Sequence, residues 1–172
     1  MFSASFITNK LDSNRQEFQQ TVSGLTKEEY LWKPLPEKWC LLEVVCHLHD
    51  EEREDFGARL KHVLTNPEKP LPPANPVAWV TERKYMKQDF DYMLKQFLIE
   101  RGETIKWLRG LKEPRWDNAY MHPKAGPVTA RLLLTNWLAH DYLHFRQILK
   151  LKYDFLKTDS GEKLDYAGDL WV

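Results

Sequence analysis

Two histidines four residues apart, His140 and His144 in the run HDYLH, are the residues whose type and spacing most directly offer chemistry. On a helix, positions i and i+4 lie about 40° apart around the axis with Cβ atoms roughly 6 Å apart, so both imidazoles can point at one ion. Neutral imidazole binds zinc and related divalent ions at about 2.0–2.1 Å. Two ligands are too few to hold such an ion, and a third must come from another element. The other histidines are His47, His49, His62 and His122. His47 lies in VVCHLHDEE, with Val44 one turn earlier on the same side, which predicts an inward position. His49 is about 200° from His47 and faces elsewhere; it is the fallback if the helix register differs. His62 stands near the far end of the same segment, and His122 lies in the loop MHPKAG. The expected metal set is therefore His47, His140 and His144. The competing reading is a hydrogen-bonded core role for His47 and an ordinary helical pair for the other two.

The residues around the set are read by helical angle. Asp141 stands where the zinc-protease pattern H-E-x-x-H has glutamate. It is one methylene shorter and lies about 100° from His140, off the ligand stripe. A protease site is not expected; a surface charge, a loop hydrogen bond or support for the ligands is. Metal-bound histidine usually donates its second ring N–H to a carboxylate or carbonyl. Asp50, Glu51 and Gln147 are the candidates for that role, and no general acid or base can be assigned. Glu43, Glu51 and Glu54 share the side of His47, while Asn136 and Gln147 share that of His140. Glu52, Arg53 and Asp55 are expected on a solvated face. Trp137, one turn before His140, reads first as a core anchor and second as a wall of the site.

Helices must position these groups. Helical periodicity dominates, and no alternating strand pattern or Asn-Gly or Asp-Gly hairpin signal stands out. A first helix is expected from about Ser5 to Ser23, followed by a short turn capped by Thr26. The second should run from Leu41 to Leu64, after a loop containing Pro34 and Pro36. It stops before NPEKPLPPANP, whose five prolines in eleven residues predict a semi-rigid extended crossover. The third spans Trp79 to Arg109. After the irregular LKEPRWDNAYMHPKAGP, the fourth starts at Thr129 and continues to about Lys152, with a partly apolar tail expected to pack back. The fold expected is all-α: one antiparallel four-helix-bundle domain over residues 1–172, with the Pro-rich crossover between helices 2 and 3.

Composition narrows the function. The 172 residues include 25 Lys+Arg and 25 Asp+Glu, for a formal net charge of zero, and nucleic-acid binding usually brings a basic excess. No apolar run approaches the roughly 20 residues that span a bilayer, and MFSASFITNK lacks the pattern of a signal peptide. Cys40 and Cys46, six helical positions apart, sit roughly 240° from each other, which disfavours a disulfide. A reducing cytoplasm is the expected compartment, with neither nucleic acid nor membrane as partner.

The chain resembles the DinB-like superfamily of metal-binding four-helix bundles, including its bacillithiol-transferase and related thiol-transferase branches. The resemblance runs from about Asn9 to Lys152 and is carried by KWCLLEVVCHLHDEE, by His122-Pro123 and by GPVTARLLLTNWLAHDYLHFRQI. It implies a divalent metal, zinc or nickel, on one histidine of the second helix and two of the fourth, which match His47, His140 and His144. Cys40 departs from the Ser or Thr frequent at the start of the second helix. The resemblance also implies a homodimer and a metal-dependent thiol S-transferase acting on a small electrophile, with a low-molecular-weight thiol as co-substrate. The alternatives are a metal-dependent hydrolase of a small ester or amide, and a non-catalytic dimeric bundle that binds a metal or ligand.

Overall fold

The structure, a computed structural model, describes residues 2–168. Helix α1 (Ala4–Val22) starts where the Ser3 side chain accepts from the Phe6 N–H at 3.2 Å. The short α2 (Lys27–Leu31) begins with the reciprocal box anticipated at Thr26. Its hydroxyl accepts from Glu29 N–H, and the Glu29 carboxylate accepts from Thr26 N–H at 2.7 Å. Helix α3 (Leu41–Asp50) runs through a π-helical turn (Glu51–Phe56) into α4 (Gly57–Thr65). Cys40 heads this stretch, where the Glu43 carboxylate accepts its backbone N–H at 2.9 Å and also pairs with Lys33.

The crossover after α4 opens with a turn, in which Lys69 N–H donates to the Asn66 carbonyl at 3.1 Å, and continues without helix or strand to Asn75. The helix expected from Trp79 to Arg109 is broken into two. Helix α5 (Pro76–Glu82) stops at Arg83, and Lys84 takes the left-handed conformation at φ 52°. A single 3₁₀ turn follows, and the Asp89 side chain then caps α6 (Phe90–Gly110) by accepting from Tyr92 N–H at 2.7 Å. The cap residue Asp89 marks the new start. Between α6 and the last helix, β1 (Ala119–His122) and β2 (Gly126–Thr129) form a two-stranded antiparallel hairpin. The sequence signal for it was weak because the strands are four residues long and the turn is not an Asn-Gly or Asp-Gly pair. The His122 ring nitrogen Nδ1 accepts from the N–H groups of Lys124 and Ala125, at 3.2 and 3.1 Å, and so orders that turn. Helix α7 (Ala130–Ser160) starts at its expected cap, Thr129. It runs eight residues past the expected end at Lys152 and stops at Gly161, whose φ of 67° suits glycine. Residues 161–168 are largely exposed rather than packed on the bundle; the rest of the tail lies outside the described residues.

The bundle is a ring in which α1 packs against both α6 and α7, and the α3–α4 stretch packs against α6 on one side and α7 on the other. The first two long helices are therefore diagonal partners. The apolar interior has two parts. One gathers around Phe18, Val44, Phe97 and Ile148, the other around Leu11, Leu60, Leu134 and Trp137. Between them lies a fully buried polar layer containing Arg101, Asp141 and Asn14. The Arg101 guanidinium sits 5.3 Å from the Phe97 ring on one side and 5.9 Å from the Trp137 ring on the other.

Candidate metal centre

Helix α3 carries His47 inward, and α7 carries His140 and His144 across from it. The Nε2 atom of His140 is 3.0 Å from that of His144 and 3.3 Å from that of His47. One donor atom from each of the three falls within 4.8 Å of the others, the one such group of histidine, cysteine or acidic side chains among the described residues. The Trp39 ring lies 4.8 Å from that of His47, and the Phe56 ring 5.0 Å from that of His140. His47 and His144 are buried and His140 is half-buried.

This environment keeps the rings neutral. Burial lowers the pKa of His47 to about 3, with the neighbouring His144 adding to the effect and Asp50 opposing it. Burial, then His144 and His47, lowers His140 to about 2. His144 is lowered too, again by burial, although Gln147 works against the shift. The Gln147 amide oxygen lies 2.8 Å from His144 Nδ1. Accepting from Nδ1–H leaves the Nε2 lone pair pointing into the cluster. Three such lone pairs converging at these separations repel one another unless a proton or a cation sits between them. A tetrahedral ion with two Zn–N bonds of about 2.0–2.1 Å holds its nitrogens roughly 3.3 Å apart. The donor set therefore fits a divalent metal in both chemistry and spacing.

The supporting candidates separate. Gln147 contacts a cluster histidine directly. The Glu51 carboxylate is 4.0 Å from His47 Nδ1, the nearest acidic group to a ring nitrogen that has no hydrogen-bond partner. Burial, with Asp55 adding, pushes its pKa up to about 8. Asp50 does not face the cluster. It accepts from the Tyr85 hydroxyl at 2.6 Å and pairs with Arg83 at 2.9 Å, and His49 Nδ1 lies 3.3 Å away. Arg83 also makes a two-pronged bond to Glu54. The fallback ligand His49 thus lies with Asp50 and outside the cluster. Asn136 is exposed and donates to the Leu132 carbonyl of its own helix. His62 reaches the crossover, 3.0 Å from the Lys69 carbonyl.

Two charge assignments need correction. Asp141 is neither a surface charge nor the hydrogen-bond partner of a loop. It is 0% exposed, and its carboxylate takes two bonds from Arg101, each 2.8 Å, and one from Asn14 at 2.9 Å. Glu52 is not on a solvated face either. It is 2% exposed and accepts from Arg101 Nε at 2.8 Å and from Trp137 Nε1 at 3.2 Å. Burial raises the Glu52 pKa against the pull of Arg101. Asp55 is half-buried and pairs with Arg59, and of the three only Arg53 is exposed. The π turn turns two adjacent glutamates inward, Glu51 beside His47 and Glu52 beneath Trp137. Gly57 ends that turn where a Cβ would collide with the Glu52 carbonyl oxygen and come within 3.5 Å of the Trp137 ring. Arg101 was invisible in the sequence as a partner of this site, since its contacts lie 40 and 49 residues away. A lone Gly57 within a helical run was the available signal for the π turn.

Comparison with known proteins agrees with this architecture. No curated protein matches the chain significantly. Among solved structures, the chain is similar to YfiT from Bacillus subtilis, described as "a probable metal-dependent hydrolase with an unusual four-helix bundle topology". The TM-score is 0.76 at 20% identity, over 93% of this chain and 89% of that one. The DinB superfamily profile matches residues 10–148. That span takes in both histidine-bearing helices through His144, and the chain belongs to the DinB superfamily.

Proposed function

We propose that this chain is a metal-dependent enzyme that holds one divalent ion on His47, His140 and His144 and uses it to hydrolyse a small ester or amide. The observation that carries this reading is the convergence of three neutral Nε2 atoms on one point, the first pair 3.0 Å apart. A three-imidazole set leaves a position open, the layout of a catalytic and not a structural site. A bound divalent ion supplies Lewis acidity, which makes water or a thiol a competent nucleophile near neutral pH. The chain's own residues do the rest. Gln147 fixes the tautomer of His144, Trp39 and Phe56 shield the rings, and Glu51 is the acidic group nearest the ligands. YfiT's description as a probable hydrolase supports the same reaction class.

Thiol transfer to a small electrophile is the second reading. No cysteine belongs to the cluster, so the ion has no protein sulfur and can accept one from a substrate. Zinc, nickel and cobalt loading followed by elemental analysis tests the common ground. About one ion per chain is expected, with loss of at least tenfold in affinity for each of His47→Ala, His140→Ala and His144→Ala. Unchanged binding in all three would remove both readings. Turnover of aryl esters and anilides without thiol supports hydrolysis; turnover of halogenated aromatics only with an added thiol supports transfer. A metal-loaded chain inactive in both assays is a binding protein.

A further inference from the structure

One buried polar atom of the histidine cluster has no hydrogen-bond partner, Nδ1 of His47. The other ring nitrogen, Nε2, lies 3.3 Å from His140 Nε2 and faces the cluster. A ring that gives its Nε2 lone pair to a metal carries its proton on Nδ1. That Nδ1–H becomes a buried donor, and a buried donor without an acceptor is costly. The equivalent atom of His144 has an acceptor in Gln147. Around His47 the choices are few. Asp50 is taken up by Tyr85 and Arg83. Glu43 accepts from Cys40 N–H and pairs with Lys33. The Trp39 ring lies against His47, but its indole nitrogen only donates. Glu51 remains. It is 5% exposed, with one carboxylate oxygen 4.0 Å from Nδ1. Its backbone N–H bonds back to the His47 carbonyl, so the two side chains stand one turn apart on one face. An N–H···O bond forms at about 2.7–3.2 Å, and rotation within the Glu51 side chain closes that gap with the backbone in place.

We infer that Glu51 is a positioning residue of the metal centre. In the loaded protein its carboxylate accepts the Nδ1–H of His47 and so fixes the tautomer and aim of that ring. Glu51 is not itself a ligand. The one group of converging donor atoms among the described residues holds the three histidines and no carboxylate. Nor does it stand where a base for an ion-bound nucleophile would stand. It approaches His47 from the Nδ1 side, while Nε2 is the nitrogen turned to the cluster. Two of the three ligands are then steadied from their own helices, His47 by the residue four positions on and His144 by the residue three positions on. The role rests on the metal-dependent reading and adds to it a group whose removal leaves all three ligands in place.

Zinc and cobalt titrations of the wild type, Glu51→Leu and Glu51→Gln test it, with affinity read by chelator competition. Leucine offers no acceptor, whereas the glutamine amide oxygen is one. Glu51→Leu should weaken zinc about 10- to 100-fold, and Glu51→Gln should stay within about fivefold of the wild type. Unchanged circular dichroism shows that the variants fold, and Glu51→Ala carries the same expectation should Glu51→Leu not fold. The cobalt-loaded proteins give a readout that a packing defect does not mimic. Each ligand Nδ1–H protected from water gives a paramagnetically shifted proton resonance. Glu51→Leu should lose one of these, and Gln147→Leu a different one. Zinc bound by Glu51→Leu within about threefold of the wild type, against the loss expected of such a partner, overturns the inference. So does Glu51→Gln as weak as Glu51→Leu, or an unchanged set of shifted resonances. A wild type that binds no ion removes the metal-dependent reading and this role with it. A wild type that binds one ion beside an unaffected Glu51→Leu removes this role alone.

Discussion

Replacing Asp141 by asparagine separates a structural carboxylate from a catalytic one. Asp141→Asn preserves volume and removes one charge from a layer where Arg101 is 1% and Asp141 0% exposed. Arg101 donates to Asp141 through both terminal nitrogens, so the substitution removes one of the two acceptor oxygens and leaves the buried guanidinium with Glu52 as its one charged partner, beside the Leu11 carbonyl and the new amide oxygen. Removing one partner of a buried ion pair costs about 3–5 kcal/mol. Glu52 limits the damage here. Burial holds its carboxyl up, and without Asp141 the guanidinium favours its ionised form, which places the expected cost near the lower bound, about 3 kcal/mol. At roughly 2.1 cal/mol/K per residue, a chain of this length has an unfolding entropy of about 0.36 kcal/mol/K, so Tm should fall by about 8 °C. Calorimetric or fluorescence melts of metal-free protein measure it. Metal affinity should change by less than tenfold, in contrast to His140→Ala. A loss below about 1 kcal/mol, as for an exposed residue, would refute the argument. So would loss of the metal with stability unchanged, because Asp141 would then belong to the site.

Three further outcomes follow from the same geometry. Gln147→Leu leaves His144 Nδ1 without its acceptor and should weaken metal binding about 10- to 100-fold, read by competition with a chromophoric chelator. Metal-free stability should peak near pH 6.5 in urea melts with chelator present. His47 and His140 stay neutral in the fold down to about 3 and 2, whereas in the unfolded chain they protonate near 6.5, so each costs about 1.4 kcal/mol per pH unit as pH falls below that. Glu51, raised to about 8, binds its proton in the fold first, so its contribution is lost as pH rises from about 4.5 to 8; Glu51→Gln should flatten the alkaline limb. Gly57→Ala must displace the Glu52 carbonyl and should cost at least about 2 kcal/mol, measured by the same urea melts; a neutral or stabilising result would contradict the packing described.

The parts of this protein that repeat at 3.6 residues were legible in its sequence. The spacing of His140 and His144, the burial of Val44 beside His47 and the caps at Thr26 and Thr129 are local facts, and local facts survive without coordinates. What was missed depends on distance along the chain or on a local break. Asp141 looked peripheral because a helical angle says only which side a residue takes, and its partners Arg101 and Asn14 lie on two other helices. Glu52 sat in a run of charges that reads as solvated until an arginine from α6 is placed opposite. The split at Lys84 came from a left-handed residue that carries no glycine to announce it. Asp50 was one of three candidates to support the imidazoles, and Tyr85, beyond the crossover, donates to it instead.

The π turn at Glu51–Phe56 behaves as an inserted residue that the helix never straightened out. Everything before it, His47 included, keeps one phase; everything after it, with Leu60 and Val63 in the second core, keeps another, offset by about 100°. A helix shortened by one residue there would restore an unbroken ladder of hydrogen bonds and become more regular. A regular α-helix of the full sequence would instead rotate everything beyond the turn by about 100°, and would have to choose between turning His47 away from His140 and His144 and turning Leu60 out of the core. The irregular turn thus serves as a phase joint. It lets one helix satisfy a metal cluster at one level and an apolar core at the next, two demands that a perfect helix of this sequence could not meet together.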